Sequence, residues 1–315
     1  MILSPEVLTL QLLNILFLIF GGVALWLSVN IYLKWDINST NPLQYKLEKQ
    51  SFLASTIIKY LFAIKLPLFL FFIFTLDKIS TLLTGAMCGA GVVDATSYGT
   101  PLITLKILNI YLFGLWLSLH FVDIKQITLP KTKLKFGLFI VLFSLLLLEI
   151  VVEYLMFNSI EIDKMVSCCG TLFSTSATST MSNIFAIDSS ILLSIFYGNF
   201  ILLVLFYKIK PKYLFGLFNL LFIIISLLTL ITFFSTYIYE LPTHHCPFCI
   251  LQKDYYYVGY LLYTTLFIGT FYGIKSEFIE SNQKDYKISL IFNFFYIVIV
   301  SLYVVIYYLK NDVWL

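Results

Sequence analysis

Eight stretches of roughly 20 apolar residues constrain this chain more than anything else in it, because that is the length at which a helix crosses a hydrocarbon layer about 30 Å thick. They fall at about 7–33, 52–76, 102–122, 137–157, 191–207, 214–238, 255–273 and 288–309. The runs are continuously apolar, not alternating, which excludes a membrane β-barrel. Composition agrees: 60% of the residues are hydrophobic and only 12% charged, against about 25% charged in soluble domains. There is too little polar surface to coat a globule, so a cytosolic enzyme, a nucleic-acid binder and a disordered chain are all excluded. The expected fold class is all-α: a polytopic integral membrane helical bundle of about eight transmembrane helices, one transmembrane domain over 1–315. No basic segment precedes the first apolar run, so that run is expected to stay as a helix and not to be cleaved.

The lysines set the orientation. Lys34, Lys46 and Lys49, then Lys125, Lys131, Lys133 and Lys135, then Lys208, Lys210 and Lys212, then Lys275, Lys284 and Lys287 occupy one set of connections. The opposite set and the C-terminal tail hold only Lys78, Lys164, Lys253 and Lys310. The basic side faces the cytoplasm, which places both termini outside, on the periplasmic side of a bacterial inner membrane. The connections on the basic side are short, and no nucleotide-binding or hydrolase motif is present. No nucleotide or nucleic acid is expected as a partner; the lipid bilayer is.

Three external loops, about 77–101, 158–190 and 239–254, contain all five cysteines. Cysteines used as small core residues would sit inside the helices, and the outside is where thiols oxidise. Within these loops Met87-Cys88-Gly89 leads to Ala95-Thr96-Ser97, and Cys168-Cys169-Gly170 leads to Ala177-Thr178-Ser179. The parallel points to duplicated hairpins at about 52–122 and 137–207.

The densest constellation is His244-His245-Cys246-Pro247-Phe248-Cys249. A C-x-x-C spacing puts both sulfurs on one side of a turn, where they close a redox disulfide or bite one metal. A helix beginning just after Cys246 would aim its dipole at that thiol and make it a better nucleophile. Cys168 and Cys169 are adjacent and would form only a strained, labile disulfide. Cys88, among Gly85, Gly89 and Gly91, sits where backbone can approach closely. A relay reading makes Cys246 the exposed attacking thiol and Cys249 its resolving partner, with Cys168, Cys169 or Cys88 meeting a periplasmic thioredoxin-like protein. A metal reading gathers Cys246, Cys249, His244, His245, Cys168, Cys169 and Cys88, with Met87, Met165 or Met181, around Cu or Zn. A metallochaperone would then be the partner. A third reading makes the chain a non-enzymatic subunit of a larger complex with structural disulfides.

The eight residues Cys246-Pro247-Phe248-Cys249-Ile250-Leu251-Gln252-Lys253 resemble the redox stretch of the DsbB-type membrane disulfide oxidases, and external C-x-x-C with separate loop cysteines is similar to vitamin-K-epoxide-reductase-like enzymes. The first resemblance implies thiol–disulfide oxidoreductase activity linked to a quinone. It also implies that Lys253 stands in the quinone-side basic position. The tyrosines that follow, Tyr256 and Tyr257 among them, would then wall the quinone beside Cys249.

Lys65, Lys106, Glu149 and Glu153 fall inside apolar segments. Glu149 and Glu153 are four apart and share a helix face. Such groups are costly in a bilayer, so they either pair with each other and tie helices together or line a proton or cation path.

Overall fold

The computed structural model describes residues 4–36, 39, 41–126, 128–161, 165–166, 188–209, 213–279 and 281–315. Among these residues all regular structure is helical. The elements are α1 (Pro5–Lys34), α2 (Pro42–Ser80), α3 (Gly89–Asp94), α4 (Gly99–Asp123), α5 (Thr132–Asn158), α6 (Ser189–Ile209), α7 (Leu214–Tyr239), α8 (Val258–Phe278) and α9 (Gln283–Asn311). Seven of them, all but α3 and α8, are long and apolar enough to cross a membrane, so the chain is a membrane helical bundle.

Two expectations change. The segment expected at 255–273 is helical, as the 21-residue α8, but glycines, threonines and tyrosines leave it less apolar than the seven. The reason is its neighbours. It packs against both α7 and α9, and Gly259, Thr265, Gly269, Thr270 and Gly273 lie on its buried face, where close packing matters more than hydropathy. Secondly, α2 runs for 39 residues and continues through Pro67, so the connection holding Lys46 and Lys49 is largely helix. Gln44, Leu47 and Ser51 are its buried positions, spaced three and four apart as an amphipathic extension requires.

The chain divides into two compact units, 1–78 with 95–164 and 79–94 with 165–315. In the first, α5 packs against α1 and α4. Phe62 stacks on Phe113 with ring centres 4.2 Å apart and meets Trp116 edge-on at 5.4 Å. Gly21 lets α1 approach α5, since a methyl group there would run into the Phe143 ring. Where α4 turns into α5, Asp123 is fully buried and accepts from Lys135 Nζ at 2.8 Å and from the Lys131 amide at 2.8 Å.

In the second unit α6 packs on α7, and α8 on both α7 and α9. Its middle is polar. Asn219 Oδ1 accepts from Ser289 Oγ at 3.1 Å and from Asn293 Nδ2 at 3.0 Å, hydrogen bonds that join α7 to α9 where no water competes. Gly273 of α8 packs directly on the Asn219 amide. Further along α7, residues Leu230–Phe234 form a π turn, which inserts an extra residue and frees backbone groups for outside partners.

Candidate functional site

That π turn begins the site. The freed carbonyl of Ile231 lies 3.0 Å from His245 Nδ1. A carbonyl only accepts, so Nδ1 carries the proton. Beyond the turn α7 ends at Tyr239, and Glu240 in the left-handed region (φ 54°) sends the chain back. This return lays the His244–Cys249 segment against the end of its own helix.

Tyr239 then holds the C-x-x-C turn closed. Its hydroxyl donates to the Cys246 carbonyl and accepts from the Ile250 amide at 3.0 Å. A single buried side chain thus satisfies backbone groups at both ends of the turn. From α8, Tyr263 donates to the Pro247 carbonyl at 2.7 Å. His244 packs edge-on against the Tyr239 ring, 4.3 Å between centres, and Tyr255 packs on the same ring at 4.6 Å.

Cys88 arrives from a separate loop. Gly85 has φ +90°, and a side chain there would collide with the Val166 carbonyl. The 79–94 segment is pinned to this neighbour by the Val166 amide donating to the Thr84 carbonyl at 3.0 Å. On the other side Gln252 Nε2 donates to the Met87 carbonyl at 3.0 Å, tying the two cysteine loops together. Cys88 Sγ consequently lies 3.5 Å from Cys246 Sγ, too far for a covalent S–S bond of about 2.05 Å. The sulfurs of Cys88, Cys246 and Cys249 all lie within 4.8 Å of one another, and all three residues are buried.

This geometry revises several sequence readings. Cys246 is not an exposed nucleophile: it has 0% of its surface accessible, because Tyr239, Tyr263 and the Cys88 loop enclose it. No long helix begins after Cys246. Two three-residue 3₁₀ turns, Cys249–Leu251 and Lys253–Tyr255, follow, and α8 starts at Val258, so no full helix dipole points at the thiol. Lys253, Tyr256 and Tyr257 are exposed, Tyr256 by 91%, whereas Tyr239, Tyr255 and Tyr263 are the tyrosines that pack around the C-x-x-C turn. His244 and His245 do not join the three-sulfur group among the described residues. Met87 and Met165 point to the surface. Cys168, Cys169 and Met181, with the 168–179 match of the suggested repeat, lie outside the described residues.

The four intramembrane charges come together in the first unit. Glu149 Oε1 accepts from Lys106 Nζ at 2.9 Å and from Lys65 Nζ at 3.1 Å; Glu153 Oε2 accepts from Lys106 Nζ at 2.6 Å. Asn14 of α1 bridges Lys65 and Glu153, and Asn109 of α4 donates to Glu149 Oε2 at 2.6 Å. Neither asparagine carries a charge to mark it in the sequence; an amide in an apolar helix is the available signal. Nothing in local spacing marks Tyr239, seven residues before Cys246, as its clamp.

Comparison with protein-family models, curated proteins and solved structures returns no match.

Proposed function

We propose that this membrane protein binds a soft metal ion, Cu(I) or Zn(II), at the thiols of Cys88, Cys246 and Cys249, and receives it from or passes it to a metallochaperone. The observation that carries the reading is three buried sulfurs within 4.8 Å of one another, contributed by two loops distant in sequence. A metal bonded to each at about 2.3 Å would hold them about 3.8–4.0 Å apart. The 3.5 Å pair and the 4.8 Å outer limit bracket that spacing. Each ligating thiol would release one proton on binding. The lysine distribution supports placing these loops on the periplasmic side of a bacterial inner membrane.

A thiol–disulfide reading is favoured by one specific distance. At 3.5 Å, a Cys88 thiolate can attack Cys246 Sγ of a Cys246–Cys249 disulfide. The Cys88–Cys246 bond then forms as the Cys249 thiolate leaves. A quinone or a thioredoxin-like protein would be the terminal partner in that scheme. It is the second reading because Cys88 lies within 4.8 Å of both C-x-x-C sulfurs, a convergence that a metal site needs and a C-x-x-C disulfide alone does not.

Anaerobic titration of the purified full-length protein with Cu(I), and separately Zn(II), against a chromophoric chelator distinguishes them. A single equivalent is expected, with affinity reduced at least about tenfold in Cys88→Ser, Cys246→Ser and Cys249→Ser. Absence of binding would overturn the proposal, as would binding indifferent to Cys88→Ser. A disulfide that interchanges among the three cysteines on maleimide labelling would establish the second reading in its place.

A further inference from the structure

Beside the charge cluster of the first unit lies a cavity of about 10 Å³, lined by Lys65, Lys106, Asn109 and Glu149 together with Leu68 and Phe113. One water position needs about that volume and two to four polar partners. Asn109 supplies an acceptor. It is 1% exposed, its Nδ2 is committed to Glu149, and its Oδ1 has no hydrogen-bond partner among the described residues. Each lysine supplies a donor. An ammonium has three N–H groups, and two are matched on Lys65 (Asn14, Glu149) and on Lys106 (Glu149, Glu153).

From this geometry we propose that the cavity holds a single water and makes the cluster a proton-exchange site, with Lys65 as the group that gives up and regains the proton. The two lysines are held unequally. Lys106 faces two carboxylates, at 2.9 and 2.6 Å, whereas Lys65 faces one, at 3.1 Å, and the neutral Asn14 amide at 3.2 Å. The groups facing Lys65 are Asn14 and Phe17 from α1, Lys106 and Asn109 from α4, and Glu149 and Glu153 from α5. Two positive and two negative groups balance, so the cluster is neutral while Lys65 is charged. In the exchange step a Lys65 N–H bond breaks, its electron pair stays on Nζ, and an O–H bond forms on the water. That water then passes one of its protons to solvent water. Two residues beyond Lys65, Pro67 interrupts the α2 hydrogen-bond ladder, which allows the backbone there to give.

The test is an infrared pH titration of the full-length protein in lipid vesicles. Loss of the Lys65 proton removes the positive charge beside Glu149 Oε1, so the carboxylate stretch is expected to shift reversibly with pH. Lys65→Arg keeps the ion pair but carries a group that does not deprotonate in proteins, and the shift is expected to vanish. Lys65→Met, a second variant without the donor, should lack it as well. Asn109→Leu fills the cavity and removes the water's acceptor, and should slow the deuterium-induced change at least about tenfold. A purely structural ion-pair cluster gives no titrating carboxylate change in the unaltered protein, or the same change in Lys65→Arg; either result overturns the proposal.

Discussion

Cys88 and Cys246 stand 158 positions apart in the chain and place their sulfurs 3.5 Å from each other. Neither is brought there by a long helix. One rides on a glycine-bearing turn pinned at Val166, the other on a turn clamped by Tyr239. The rigidity of the site therefore lies in backbone hydrogen bonds around the sulfurs, and those bonds can be removed singly.

Tyr239→Phe deletes only the clamp. The Cys246 carbonyl and the Ile250 amide lose a buried partner, at a cost of about 1–3 kcal/mol. Thermal unfolding in detergent should show the loss, and metal affinity should fall with it because the two sulfurs of the turn lose their fixed spacing.

Exposure predicts the opposite for the residues that the disulfide-oxidase likeness singled out. Lys253→Ala and Tyr256→Ala should leave metal affinity unchanged, since both side chains are exposed and outside the sulfur group. The same Cu(I) titration checks this. A strong loss in either variant would contradict a site made by the three thiols alone.

Within the first unit, Glu149→Leu should cost more than Glu153→Leu. Glu149 is the carboxylate partner of both lysines, whereas Lys106 keeps Glu149 if Glu153 is lost. Removing one partner of a buried pair costs about 3–5 kcal/mol. Adding Lys65→Met to Glu149→Leu should recover part of that cost, measured as a double-mutant cycle on unfolding.

At the α7–α8 contact, Gly273→Ala should destabilise by about 1–3 kcal/mol through overpacking. The added methyl would meet the Asn219 amide, which already accepts from Ser289 and Asn293. Thermal unfolding of the variant checks the size of the effect.

Long-range periodicity explains what could be read from the chain itself. Apolar runs locate α1, α4, α5, α6, α7 and α9 because each meets lipid along one side, and Leu12, Ile19 and Trp26 of α1 are exposed for that reason. Helix α8 meets protein on two sides, and its glycines and threonines lower its hydropathy, although the apolar run at about 255–273 still marks it. Cys88, Cys246 and Cys249 stand out in the sequence, but their convergence and burial are not legible there. Both depend on Tyr239 and on the Gln252–Met87 link, contacts without a sequence period. The partners of Glu149 were half legible: the charges stood out in apolar helices, whereas Asn14 and Asn109 carry no charge to mark them.

X-ray absorption at the copper or zinc edge of the metal-loaded full-length protein tests the three-thiol site most directly. The account predicts a shell of three sulfurs at about 2.3 Å, reduced by one in Cys88→Ser. A shell of nitrogen and oxygen alone, or a sulfur count that Cys88→Ser does not change, would contradict it.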